Sequence, residues 1–134
     1  MEARRVLIDT TLFIEHFRAR DKSATTLVRI HEQRHVLFTS TIVVAELCYG
    51  ARNATQRADV IKVLARMRIL PFTARMALRV SIEVEKLRRS NQITGMRDLA
   101  IACAALEAGL PVATKNQREF ARVSGVRVFD LATD

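Results

Sequence analysis

The stretch Val6-Leu7-Ile8-Asp9-Thr10-Thr11 decides how the rest of the chain is read. Three consecutive apolar residues leave no polar face, so the segment reads as a short strand buried on both sides. The run stops at a carboxylate, and Thr10 or Thr11 then starts a helical stretch through about Arg20. A buried strand that runs into a helix is the opening of an α/β unit. In such sheets ligands collect beyond the carboxyl ends of the strands. Asp9 stands at that place.

Outward from this point the pattern repeats. The first strand spans Arg4 to Ile8, and Ser23 is a candidate N-cap for a helix carrying Ala24, Leu27, Val28 and His31. Val36-Leu37-Phe38 reads as a second strand, and Thr39-Ser40-Thr41 opens a helix from Ile42 to Tyr49 that Gly50 stops. Thr55 is expected to cap a helix with Val60, Val63, Leu64 and Met67 on one face. Arg68-Ile69-Leu70 is a third strand, cut by Pro71. From Thr73 a long amphipathic helix turns Met76, Val80, Val84 and Leu87 inward and Arg75, Arg79, Lys86 and Arg89 outward. A helix from about Arg97 to Ala108 is apolar all round, which marks it as buried. Pro111 to Thr114 is a strand edge, Asn116 opens a short helix to Ala121, and Val126 to Phe129 is a last strand. The expected fold is a three-layer α/β/α sandwich with a mainly parallel central sheet.

Composition narrows the class. A chain of 134 residues, 49% hydrophobic and 27% charged, is expected to form one globular domain spanning 1–134. The hydrophobic run after Met1-Glu2-Ala3-Arg4-Arg5 is too short for a signal peptide or a membrane span, which points to the cytoplasm. Cys48 and Cys103 lie in apolar stretches without a CxxC partner, so both read as small buried hydrophobes. Lys plus Arg is 22 against 14 for Asp plus Glu, a formal charge of +8. Most of the cations are arginine, whose planar fork suits phosphate. A polyanionic partner follows, nucleic acid or an acidic protein. His16, His31 and His35 lack metal spacing, and neither a phosphate-binding glycine loop nor a nucleophile elbow is present.

Three acids sit in apolar company, which carboxylates avoid unless paired or metal-bound. They are Asp9, Glu46 within Ile42-Val43-Val44-Ala45-Glu46-Leu47-Cys48, and Asp98 at the start of the alanine-rich helix. A fourth, Glu119, follows the Pro111–Thr114 strand. Clustered carboxylates suit Mg²⁺ or Mn²⁺, which prefer oxygen ligands and serve phosphodiester hydrolysis. Each acid also has a plainer reading. Asp9 could be an N-cap, Asp98 a first-turn dipole acid, Glu119 the partner of Asn116 in a capping box, and Glu46 a salt-bridge partner of a nearby arginine.

At these residues the sequence resembles the PIN domain, and within it the VapC-type toxins of prokaryotic toxin–antitoxin pairs. The matching segments are Asp9-Thr10 after the first strand, Ala45-Glu46-Leu47 with Gly50, Asp98 with Ile101-Ala102 and Ala104-Ala105, and Thr114, Asn116, Glu119 and Phe120. The resemblance runs from Val6 to Val128. It implies a Mg²⁺- or Mn²⁺-dependent endoribonuclease with Asp9, Glu46 and Asp98 as its acidic core and Glu119 as a fourth catalytic and metal-binding acid. Thr11 and Asn116 are expected to orient those ligands. It further implies a homodimer and a cognate antitoxin that occupies the acidic cleft. Thr11 stands where relatives often have Asn or Ser, Val43 where Thr or Ser is common, and Glu119 where Asp is. The rival expectation is a non-catalytic PIN-like module that binds nucleic acid or protein.

Overall fold

The computed structural model describes residues 3–132; Met1 and Glu2, read above as the lead-in to the first strand, lie outside them. β1 (Arg5–Ile8) takes a central place in the sheet because Val6, Leu7 and Ile8 are fully buried. With β2 (Val36–Ser40), β3 (Arg68–Leu70) and β4 (Val112–Ala113) it forms an all-parallel sheet in the order β3-β2-β1-β4. Leu7 aligns with Phe38 on one side and Val112 on the other, and Ile8 with Ala113. The sheet is therefore as parallel as its apolar strands suggest.

Helices α1 (Thr10–Arg18) and α2 (Thr26–Glu32) connect β1 to β2, and α3 (Thr41–Gly50) and α4 (Ala54–Leu64) connect β2 to β3. The chain then crosses from β3 to β4 through α5 (Ala74–Arg89) and α6 (Met96–Ala108). That crossover runs opposite to the first two, so right-handed connections place α5 and α6 on the other face. The expected three layers result. α7 (Gln117–Ala121) follows β4. Among the described residues no helix is long and apolar enough to cross a membrane.

Several local readings shift. Thr25, not Ser23, caps α2, because Ser23 is held in a preceding turn by Asp21. Asn53, not Thr55, caps α4: its Oδ1 accepts from Gln56 N at 2.8 Å, and Gln56 returns the favour by accepting from Arg52 N. Met67 falls beyond α4, which ends at Leu64. Thr73, where the long helix is expected to begin, is its N-cap, accepting from Met76 N at 3.2 Å. The last strand shrinks to a single bridge, Val128 against Val112, because β4 is only two residues long. Cys103 is buried, but Cys48 is exposed. The inner face of α3 is carried by Val43 and Leu47, and Cys48 lies about 100° round the helix from Leu47.

The largest correction lies on α5. Glu83 is 1% exposed, on the same stripe as Met76 and Leu87. Arg79, expected on the solvated side, instead turns in to meet it. Its Nε donates to Glu83 Oε2 at 2.9 Å and its Nη1 to Glu107 Oε2 on α6 at 2.9 Å. Lys86 reaches the same Glu83 oxygen at 3.4 Å. A carboxylate sealed between two helices needs these cations, since burial alone would penalise its charge.

Two stability predictions follow from these contacts. Arg79→Ala leaves Glu83 buried with only Lys86 and should lower unfolding stability by on the order of 2–3 kcal/mol, below the full buried-pair cost because Arg79 is partly solvated. Arg75→Ala, at an exposed arginine, should cost under about 1 kcal/mol; urea denaturation compares the two. The second concerns Glu15, which joins α1 to Thr26 N at 2.9 Å and to Lys115 Nζ at 2.7 Å. Burial would raise its pKa, but the hydrogen bonds and charge of these partners overcome that and hold it at about 2. A depressed carboxyl contributes stability above its unfolded pKa and loses it as pH falls through the folded value. The stability gap between wild type and Glu15→Gln should therefore be full above pH 4.5 and shrink steadily towards pH 2.

Candidate active site at the carboxyl edge of the sheet

Asp9 emerges where β1 ends, and pairing with β4 fixes what faces it. Its backbone N–H donates to Ala113 O at 3.0 Å, so the next residue of that segment, Thr114, lies alongside. Thr114 Oγ1 donates to Asp9 Oδ2 at 2.7 Å, and Thr11 Oγ1 donates to the same oxygen at 3.0 Å. Lys115 N in turn donates to Thr11 Oγ1, and Asn116 N to Thr114 Oγ1, both at 2.9 Å. Asp9 occupies the N-cap position of α1 by backbone conformation, yet its side chain caps nothing. The carboxylate is 1% exposed, and Oδ1 has no hydrogen-bond partner.

Asp98 arrives from the other side, in the first turn of α6. That helix is sealed on nearly every side by Leu99, Ala100, Ile101, Ala102, Cys103 and Ala104, so its amino end cannot shift without disturbing the core. The positive end of the helix favours a carboxylate there. Burial nevertheless raises the Asp98 pKa, and the charge of Asp9 raises it further. The Arg97 charge and a hydrogen bond from the Asn116 side chain pull the other way without overcoming them. Asp98 Oδ1, like Asp9 Oδ1, is buried and without a hydrogen-bond partner.

Glu46 reaches the same edge from α3, but both of its oxygens are engaged. Thr10 Oγ1 donates to Oε1 at 2.8 Å, and Arg97 Nη1 donates to Oε2 at 2.8 Å. The salt-bridge reading of Glu46 is thus realised, with Arg97 as the arginine. Arg97 Nε also lies 3.6 Å from Asp98 Oδ1. Burial disfavours the Arg97 charge, but Glu46, Asp98 and Asp9 together raise its pKa.

Glu119 has a partner of its own: it is half-buried and paired with Arg122 Nη1 at 3.1 Å. Among the described residues no hydrogen bond or ion pair links it to Asp9, Glu46 or Asp98. The capping box with Asn116 is also not formed, since the Asn116 side chain caps nothing. Thr11 and Asn116 lie beside Asp9 and Asp98, where the sequence places them. Sequence reasoning did not single out Thr10, Thr114 or Arg97 as site residues. Thr10 and Thr114 belong to the segments that carry the PIN-domain resemblance, whereas for Arg97 its place beside Asp98 was the available signal.

The donor set can be tested against a divalent ion. Among the described residues no three carboxylate, histidine or cysteine side chains form a ready cage. Mg²⁺ does not need one: it is commonly held by one or two carboxylates, with waters and substrate phosphates filling the other places. Two buried carboxylates close enough to perturb one another, each with a spare oxygen, fit that requirement.

Comparison with known proteins gives the same direction. The PIN-domain family model matches residues 6–126. Ribonuclease VapC10 of Mycobacterium tuberculosis is 32% identical over 115 residues, covering 86% of this chain and 85% of that protein. The tRNA(fMet)-specific endonuclease VapC of Salmonella typhimurium is 30% identical over 130 residues, covering 94% and 97%. The solved structure of DNA-bound VapBC from Salmonella typhimurium contains a chain that superposes with a TM-score of 0.82 at 26% identity, covering 98% of this chain and 99% of that one. A buried parallel sheet with acids at its carboxyl edge, matched over nearly its whole length, makes this chain a member of the PIN-domain family, in its VapC-type branch.

Proposed function

We propose that this VapC-type protein is a divalent-metal-dependent endoribonuclease and the toxin half of a toxin–antitoxin pair, with residues 1–134 acting as one nuclease domain in the cytoplasm. The observation that carries the reading is the pair of buried carboxylate oxygens, Asp9 Oδ1 and Asp98 Oδ1, that lack any hydrogen-bond partner. The ribonuclease and endonuclease names of the relatives support RNA as the substrate.

Asp9 and Asp98 would hold the ion, Mg²⁺ or Mn²⁺. Bound there, it supplies charge to the phosphate and lowers the pKa of a water for phosphodiester hydrolysis. The protein's own residues do the positioning. Thr11 and Thr114 fix Asp9 Oδ2, which leaves Oδ1 aimed away from them. Asn116 steadies Asp98. Glu46 serves the ion directly or through water once Arg97 lets it go, and Glu119 acts through water at the rim. The surplus of arginine holds the RNA backbone.

A groove of about 530 Å³ opens from Thr10, Glu46 and Arg97 along Ile14, Phe17 and Val60. A second, of about 520 Å³ between α1, α2 and α4, adjoins it at Phe17, Lys22 and Asp59. The groove mixes apolar Ile14, Phe17, Leu47 and Val60 with charges of both signs, Arg18, Lys22 and Arg97 against Glu46 and Asp59, which supports it as the seat of an antitoxin segment of mixed apolar and charged side chains, and VapBC assemblies are toxin–antitoxin systems. The apolar α3 leaves Tyr49 93% exposed, with Cys48 exposed beside it, which supports a homodimer contact there.

Purified, antitoxin-free protein should cleave cellular RNA in Mg²⁺ or Mn²⁺ and stop in chelator. Asp98→Asn should lose about 10²–10³-fold in rate, the scale of removing a group that stabilises transition-state charge. Folded protein that binds RNA but never cleaves it, whatever the metal, would favour the non-catalytic module instead. Thr114→Val removes the shorter hydrogen bond to Asp9 and should weaken Mn²⁺ binding or activity about tenfold, as loss of a ligand's supporting contact does. Calorimetric Mn²⁺ titration reads it without RNA.

A further inference from the structure

Among the described residues Arg97 is the cation that contacts both Glu46 and Asp98, and metal-assisted hydrolysis gives it no role. It donates to Glu46 Oε2 at 2.8 Å and lies 3.6 Å from Asp98 Oδ1. Lys115, the other nearby cation, is committed to Glu15 instead. Arg97 is half exposed and lines the mouth of the groove beside Thr10 and Glu46.

Three acids sharing one partly buried edge repel one another. A guanidinium bridging two of them relieves that repulsion. A divalent ion held by Asp9 and Asp98 would relieve it more strongly, and the two cations could not sit comfortably side by side. The Arg97 stem is long and flexible and its head already meets solvent, so it can leave without moving the backbone of α6. Its planar fork then faces the groove, where it matches a phosphate better than any ammonium would.

We propose that Arg97 is a displaceable counter-cation, clamped to Glu46 and Asp98 when the cleft is empty of metal and released towards the RNA backbone when a divalent ion binds. The proposal rests on the metal reading of Asp9 and Asp98, and its test separates the two. Side-chain NMR of the wild-type protein follows the Arg97 guanidinium and the Asp98 carboxyl during a Mg²⁺ titration. The Asp98 signal should shift to saturation, while the Arg97 N–H signals move from slowly exchanging to the fast exchange of a free guanidinium. Arg97 unmoved while Asp98 saturates would overturn the counter-cation role alone. Both unmoved would overturn the metal reading, and this proposal with it.

Mn²⁺ calorimetry gives an independent measure. Arg97→Gln should bind Mn²⁺ on the order of tenfold more tightly than wild type. Arg97→Lys, which keeps the charge, should stay near wild type. Equal affinity in the Gln and Lys variants would show that the charge does not compete with metal, and would sink the idea.

Discussion

Two like-charged carboxylates, Asp9 and Asp98, must be kept side by side under burial, and the carboxyl edge is organised around that constraint. Asp9 is 1% and Asp98 8% exposed. Burial and mutual repulsion both favour protonation, as the raised pKa of Asp98 records. Relief comes from three directions: threonine hydroxyls on Asp9, the amino end of α6 beneath Asp98, and the guanidinium of Arg97 across the cleft. Together they offset part of the repulsion at a place where burial disfavours charge.

The fold makes the pair unavoidable. Register between β1 and β4 sets Ile8 against Ala113, so the next residue on each side, Asp9 and Thr114, meet with no loop left free to choose otherwise. α6 is built of small apolar residues that let it pack closely on all sides, and Gly109 closes it in the left-handed region at φ 69°. A helix so enclosed cannot slide, and Asp98 rides on its first turn. Strand pairing and helix packing are both core interactions. The geometry of the site is therefore held by the same burial that stabilises the protein, with Phe13, Leu99 and Val112 sealed in the core behind it.

Much of this was legible before any coordinates. An apolar run such as Val6-Leu7-Ile8 has few structural solutions, and an acid directly after it has few reasons to be there. The alanine-rich run after Asp98 was equally plain. What escaped the sequence was pairing between elements far apart in the chain. Arg97 and Glu46 are 51 positions apart, and nothing local ties them. Glu119 was read by its distance from Asn116, whereas Arg122 one turn further on captured it. Glu83 is legible in principle, because it lies on the stripe of Met76 and Leu87, with Arg79 one turn before it to pair with. Cys48 shows the reverse limit. In a helix apolar on every face, composition does not say which side is inside.

The four acids are finally sorted by their spare lone pairs. Asp9 offers one fully engaged oxygen and one free one, so its hydroxyl partners orient it without consuming it. Asp98 Oδ1 likewise accepts no hydrogen bond, with Arg97 Nε 3.6 Å away. Glu46 has no free oxygen, since Thr10 and Arg97 each take one. Glu119 is already paired with Arg122. An incoming cation therefore meets two acids that can receive it at once and one that must first give up a partner. That order follows from hydrogen-bond accounting alone: Arg97 holds Glu46 directly and stands 3.6 Å from Asp98 Oδ1, so an ion arriving at Asp98 meets the arginine before it can recruit Glu46.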